Sequence, residues 1–120
     1  MSLTKKIDFA VVFSVKHANP NGDPLNGNRP RTTYDGFGEV SDVCLKRKLR
    51  DRLMEDGQDV FVQSDDRSSD GFATLKQRAD AKLKDVKKEN YAEAACKTWF
   101  DVRAFGQVFA FKKKGKEDSA

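Results

Sequence analysis

At 120 residues and a formal charge of +4, the chain is the size of one domain, at the lower end of the usual range. Its hydrophobic share is 38% and its charged share 35%, so any core must be thin and the surface dense with charge. These figures exclude a two-domain enzyme with a cleft between domains, and no run nears the roughly 18 apolar residues that a membrane span needs.

The first element is a strand. Ile7, Phe9, Val11, Phe13 and Val15 alternate, which puts five apolar side chains on one face of a pleated ribbon. The opposite face carries Asp8, Ala10, Val12, Ser14 and Lys16, apolar at its middle and polar at its ends. This pattern predicts a central strand over 7–15. Lys5 and Lys6 before it give a superficial likeness to a signal peptide, but no small-x-small cleavage pattern follows, so the segment reads as mature protein.

Residues 18–38 form an unusual loop. They hold all three prolines of the chain, together with Asn19, Asn21, Asn26 and Asn28. Asn-Gly steps supply positive-φ turns, and each proline fixes its own φ and pushes its predecessor towards extended geometry. A loop of this length with that composition predicts a defined, functional shape and not a flexible tether.

A helix follows over 41–56, capped by Ser41, with Asp42 near the positive end of its dipole. Leu45, Leu49 and Leu53 form its apolar stripe, and the spacing predicts that they pack on the sheet. Lys46, Arg47 and Arg50 flank that stripe. Val60-Phe61-Val62 reads as a short strand, followed by an acidic loop. A second helix is predicted over 73–88, with Leu75, Ala79, Leu83 and Val86 on one side. Asn90 and Glu93 have the spacing of a capping box, opening a third helix along which Tyr91, Ala95, Thr98, Val102, Phe105 and Phe109 share a line. A strand over 106–111 competes with the end of that helix. Lys112–Lys116 reads as a solvated basic tail.

Charge is uneven along this order. Residues 1–54 carry a net +4, residues 55–70 a net −5, and residues 71–120 a net +5. Such segregation permits a polyanionic partner and is equally compatible with a solvated helix face. Cys44 and Cys96 form no C-x-x-C pair, and His17 is the one histidine, so no zinc ligand set and no Ser-His-Asp or Cys-His arrangement is expected. Two lone thiols with no secretory pattern suit a reduced, cytoplasmic protein.

The strand, glycine-rich loop and helix start do not form a nucleotide site. There is no Gly-Lys-Ser or Gly-Lys-Thr, and Gly36-Phe37-Gly38 lacks the third glycine of a dinucleotide fingerprint. Asp23, Asp35, Glu39 and Asp42 are near enough in sequence for a magnesium-dependent nuclease, against the simpler reading that they form turns and caps.

Three blocks narrow the reading. Ala18-Asn19-Pro20-Asn21-Gly22-Asp23-Pro24-Leu25-Asn26-Gly27-Asn28-Arg29-Pro30-Arg31-Thr32, then Gly38–Arg50, then Trp99–Phe111, together resemble the CRISPR RNA-binding backbone subunit of type I surveillance complexes (Cascade), most of all its subtype I-C form. The resemblance covers residues 7–111, and the chain looks like the N-terminal portion of such a subunit. It implies an α/β fold of the RRM-like (ferredoxin-like) kind with a long loop and helical insertions, incomplete at the C-terminus. Residues 1–111 would belong to one such domain and 112–120 to the tail. It also implies guide RNA gripped by its backbone, copies of the subunit aligned along it, other Cascade subunits as partners, target DNA reached through the guide, and no cutting. The RNA-binding residues expected on this basis are Asn19, Asn21, Asn26, Arg29 and Arg31 on the loop and Lys46, Arg47 and Arg50 on the helix, with Arg103 beyond them. No catalytic residue, metal site or cofactor is expected. The alternatives are a metal-dependent ribonuclease using Asp23, by analogy with type III backbone subunits, and a fragment without activity of its own.

Overall fold

The computed structural model describes residues 3–110. Its contacts fall into two compact units that divide between Leu45 and Lys46. The predicted basic tail lies outside the described residues.

In the first unit the long loop is the organised part. Gly22–Asp23 (β1) pairs antiparallel with Arg29–Pro30 (β2), in the register Gly22 to Pro30 and Asp23 to Arg29. A 3-10 turn over Pro24–Asn26 joins them, capped by the Asp23 carboxylate, which accepts from Leu25 N at 3.1 Å. Gly27 and Asn28 close the hairpin with φ of 63° and 57°, the left-handed region that glycine and asparagine tolerate best.

Residues 7–15 correct the sequence-based expectation. The segment pairs with no strand among the described residues, and its side chains lie open: Phe9 is 67% exposed, Phe13 55% and Val12 96%. Alternation specifies which side chains share a face, but a ladder also needs a neighbour of matching length. The strands that the described residues offer are the two-residue β1 and β2.

The helix α1 spans Asp42–Glu55, close to the expected bounds. Ser41 caps it as predicted, its Oγ accepting from Cys44 N at 3.1 Å. The predicted packing through Leu49 is not formed: Leu49 is 36% exposed, and no residue of α1 is fully buried.

The core of the second unit is helical. It contains Leu75–Leu83 (α2), Tyr91–Thr98 (α3) and Phe100–Phe105 (α4). Phe61, Ala79, Leu83, Ala95, Trp99 and Val102 are buried together, with Leu75, Val86, Tyr91 and Phe109 packed against them. The predicted apolar side of α2 is therefore the buried one. The predicted third helix is instead two. Trp99 adopts an extended conformation (φ −122°, ψ 127°) that breaks the line between α3 and α4, and Gly106, at φ 76°, ends α4. Of the predicted line, Tyr91, Ala95, Val102 and Phe109 lie in or against the core while Thr98 and Phe105 do not, and Trp99, off that line, is drawn in with its ring centroid 4.6 Å from that of Phe61. Asn90 makes no side-chain cap, and Glu93 pairs with Lys97 at 3.0 Å in place of closing a capping box. Residues 106–110 form no strand.

Val60 and Phe61 are buried as the apolar run predicted, but they are not a strand. Their polar backbone is satisfied by a side chain: Asp101, 1% exposed, accepts from Phe61 N at 2.7 Å and from Val62 N at 3.1 Å. One carboxylate thus does for this segment what a neighbouring strand would do.

Candidate nucleic-acid interface

The loop is two hairpins in series, held at a common stem. Beyond β1 and β2, Arg31 N donates to Asn21 O at 2.8 Å and Glu39 N to Arg31 O at 3.1 Å. A bridge pairs Thr32 with Gly38, and Thr33 N donates to Phe37 O at 2.7 Å, so residues 33–37 form a second turn. Gly36 reaches φ 85° there. The prolines and asparagines thus produce the defined shape that their composition predicts.

Within that frame the predicted loop residues divide. Asn21 is a positioning residue: its Oδ1 accepts from Ser41 N at 2.8 Å and its Nδ2 donates to Gly22 O at 3.1 Å, tying the stem to the start of α1. Asn19 does the same at the surface, donating to Asn28 O at 2.9 Å. Arg31 is paired with Glu39 at 2.9 Å, although both side chains remain about half open to solvent. Asn26 and Arg29 lie exposed on the first hairpin, and Arg29 has no ion-pair partner among the described residues. Sequence reasoning missed Leu25 (97% exposed) and Tyr34 (106%), which the turns hold fully outward. A large apolar side chain between turn-forming residues was the available signal.

The predicted residues of the second unit are held more tightly. Arg50 Nε lies 2.9 Å from Asp101 Oδ2, and its side chain is 13% exposed. Its guanidinium also stacks over Phe105, 5.2 Å from the ring centre. Arg47 bonds Asp51 through Nε at 2.9 Å and the Val62 carbonyl through a terminal nitrogen, also at 2.9 Å. Lys46 rests over Phe105 at 5.4 Å. Arg103 is exposed, donates to Cys96 O at 2.9 Å and lies over Phe100 at 4.9 Å. The geometry gives Arg47 and Arg50 a role inside the unit, because withdrawing Arg50 would strand a buried carboxylate.

A second ion pair, which the sequence reading did not identify, joins Arg78 and Asp70. Arg78 is 2% exposed, reaches both Asp70 oxygens at 2.6 and 2.9 Å, and donates to Phe61 O at 3.0 Å. The Arg78 guanidinium holds the Asp70 carboxyl below the usual carboxylate range. This pair staples the acidic loop to α2.

The four carboxylates weighed for a metal do not converge. Asp23 is spent on its cap and Glu39 on Arg31, Asp35 sits at the exposed second turn, and Asp42 lies in the first turn of α1. Among the described residues, no group of three or more His, Cys, Asp or Glu side chains is placed to hold an ion. No helix among them is long and apolar enough to cross a membrane.

Comparison with known proteins places this loop and these helices in context. A family model described as CRISPR-associated protein Cas7 matches residues 5–119. A curated protein of Haloferax volcanii, named CRISPR-associated protein Cas7, is 32% identical over 123 residues, covering 98% of this chain and 36% of its own length. The chain thus spans about a third of that relative. No solved structure matches.

Proposed function

The chain belongs to the CRISPR-associated protein Cas7 family, and from that membership we propose that it is part of a backbone subunit that holds guide RNA in a type I Cascade complex of subtype I-C. In this reading the subunit has an RRM-like core, repeats along one guide, contacts other Cascade subunits and works in the cytoplasm. It leaves the bases free to pair with target DNA and does not cut.

The observation that carries the reading is the double hairpin of residues 19–39. A chain with only a thin core invests many hydrogen bonds in holding a surface loop in one shape, and the loop projects Arg29 and Asn26 into solvent. Such a rigid, weakly basic projection suits the sugar-phosphate backbone, where contacts position a strand without reading it. Arg29 and Asn26 are the residues assigned direct contact, with Arg31 beside them. Asn19 and Asn21 act by setting the loop's shape. Lys46 and Arg103 keep the role of outlying phosphate contacts, each from the second unit, while Arg47 and Arg50 are assigned to stability. The cap made by Asp23 supports a turn-forming role over a nuclease role for that residue.

The test is guide-RNA retention across a salt series in a full-length homologous subunit. Arg29→Ala should weaken retention equally for guides of unrelated sequence and make the salt slope shallower by about 0.7. An unchanged affinity and slope would place the RNA site elsewhere.

A further inference from the structure

The chain has two Asn-Gly steps, Asn21-Gly22 and Asn26-Gly27, and the fold treats them differently. Asparagine before glycine is open to attack by the next residue's amide nitrogen on the side-chain amide carbon, because glycine puts no side chain in the way. The other asparagines are badly placed for this. Asn19 precedes Pro20, which has no N–H, and Asn28 and Asn90 precede the bulky Arg29 and Tyr91.

At the first step the groups that must move are held. Asn21 Oδ1 accepts from Ser41 N at 2.8 Å, its Nδ2 donates to Gly22 O at 3.1 Å, and its backbone carbonyl accepts from Arg31 N at 2.8 Å. Ring closure there would break these bonds together. At the second step none of them recurs. Asn26 and Gly27 are exposed, the Asn26 side chain makes no hydrogen bond among the described residues, and the space beside the Gly27 Cα is open. What holds the peptide between them is the short 3-10 turn Pro24–Asn26 and the closing bond from Asn28 N to Asp23 O at 2.9 Å. Ring closure at Asn26 needs only that turn to open, a local event at an exposed loop tip.

We propose that Asn26-Gly27 is a site of spontaneous deamidation and that its isoaspartate product undoes the first hairpin. The Gly27 nitrogen bonds to Asn26 Cγ, the bond from Cγ to Nδ2 breaks, and the amide nitrogen leaves as ammonia, carrying the proton lost by Gly27. Water then opens the cyclic imide at one of its two carbonyls. Opening at Cγ gives aspartate on an ordinary backbone, and opening at the main-chain carbonyl gives isoaspartate, with the chain routed through Cβ. Nothing is oxidised or reduced, and either product lowers the formal charge of +4 by one. Isoaspartate also adds an atom to the backbone inside the turn, so Asn28 N no longer meets Asp23 O. The modification does not depend on the RNA reading. On that reading, it replaces an amide assigned to the guide backbone with a carboxylate three residues from Arg29, which repels phosphate.

The experiment ages the full chain in mildly alkaline buffer, without RNA, and follows it by peptide mapping. Exchange of NH2 for OH adds about 1 Da, and fragmentation of N–Cα bonds tells isoaspartate from aspartate. Asn26 should convert about tenfold faster than Asn21 in the folded chain. In a synthetic peptide of residues 18–32 the two should convert at similar rates. Asn26→Gln, which needs a larger ring, should remove the fast conversion and leave Asn21 as it was. In the isoaspartate product the Asn28 amide should lose its protection from hydrogen exchange, while Trp99 fluorescence stays that of the unmodified chain. Equal rates at Asn21 and Asn26 in the folded chain would overturn the proposal. So would an Asn26 that stays intact while the peptide reacts to completion, since the turn would then close the site. An isoaspartate product with the Asn28 amide still protected would overturn the loss of the hairpin.

Discussion

Arg50 and Asp101 are fifty-one residues apart in sequence and 2.9 Å apart in space. The carboxylate at the far end of this pair is the one that satisfies Phe61 N and Val62 N. Arg50 therefore neutralises the group that replaces a strand for the buried Val60-Phe61 segment, and the basic flank of α1 is in part a structural device.

Removing Asp101 should be severe. Asp101→Ala leaves two backbone donors and one guanidinium without a partner, at a cost of about 3–5 kcal/mol. That is comparable with the whole stability of a small domain. Thermal or urea denaturation followed by Trp99 fluorescence checks it. A loss below about 1 kcal/mol would mean that the segment finds other partners.

Arg50→Ala should resemble Asp101→Ala in stability and differ from Arg29→Ala in effect. It should lower the denaturation midpoint of the isolated chain, whereas Arg29→Ala, at an exposed side chain, should leave it within about 0.5 kcal/mol. Equal midpoints for Arg50→Ala and wild type would return Arg50 to the residues proposed to contact phosphate.

Leu49→Ala is expected to be mild. A fully buried leucine would cost about 2–5 kcal/mol, but a side chain that is 36% exposed should lose about 1 kcal/mol or less. A larger loss would show that Leu49 is covered in solution.

The Asn28 side chain occupies the space that a side chain at residue 22 would need. A Cβ on Gly22 would run into the Asn28 side-chain amide, whose Cγ would lie at 2.8 Å. Gly22→Ala should open the hairpin, and adding Asn28→Gly should restore it, because glycine accepts the φ of 57° at that position. Chemical shifts of Gly27 and Leu25 report closure. Failure of the double variant to recover would show that the Asn28 side chain contributes more than bulk.

Acid should loosen the acidic loop. The Asp70 pKa is lowered by the hydrogen bond from Arg78, so the stability it contributes is present above the unfolded carboxylate range and is lost as pH falls through the lower folded value. Asp70→Asn should flatten the stability profile below about pH 4, the unfolded value of an aspartate. A profile unchanged by Asp70→Asn would mean that other carboxylates carry the acid sensitivity.

Local signals were legible in the sequence and long-range ones were not. Ser41 announces the start of α1, the Asn-Gly steps announce the turns, and the apolar side of α2 follows its period. The pairs Arg50–Asp101 and Arg78–Asp70 have no spacing signature, because they close between separate elements. The one available hint was Asp101 itself, an acid inside the apolar block Trp99–Phe105, where a charge must find a partner. Residues 7–15 show the opposite limit: their alternation predicts a strand, but no strand among the described residues pairs with them. The residues proposed to face RNA were legible as a loop, but only coordinates separate Arg29, which points outward, from Asn21, which builds the stem.

The Cys44 thiol donates to the Pro20 carbonyl at 3.4 Å, so the loop stem covers one of the chain's two cysteines. That makes Cys44 a reporter of the stem. The sulfur is partly buried, and lifting the stem from the first turn of α1 should expose it further, so with Cys96, also partly buried, replaced by serine, the labelling rate should rise with loop opening. A partner that clamps the hairpins should slow this reaction.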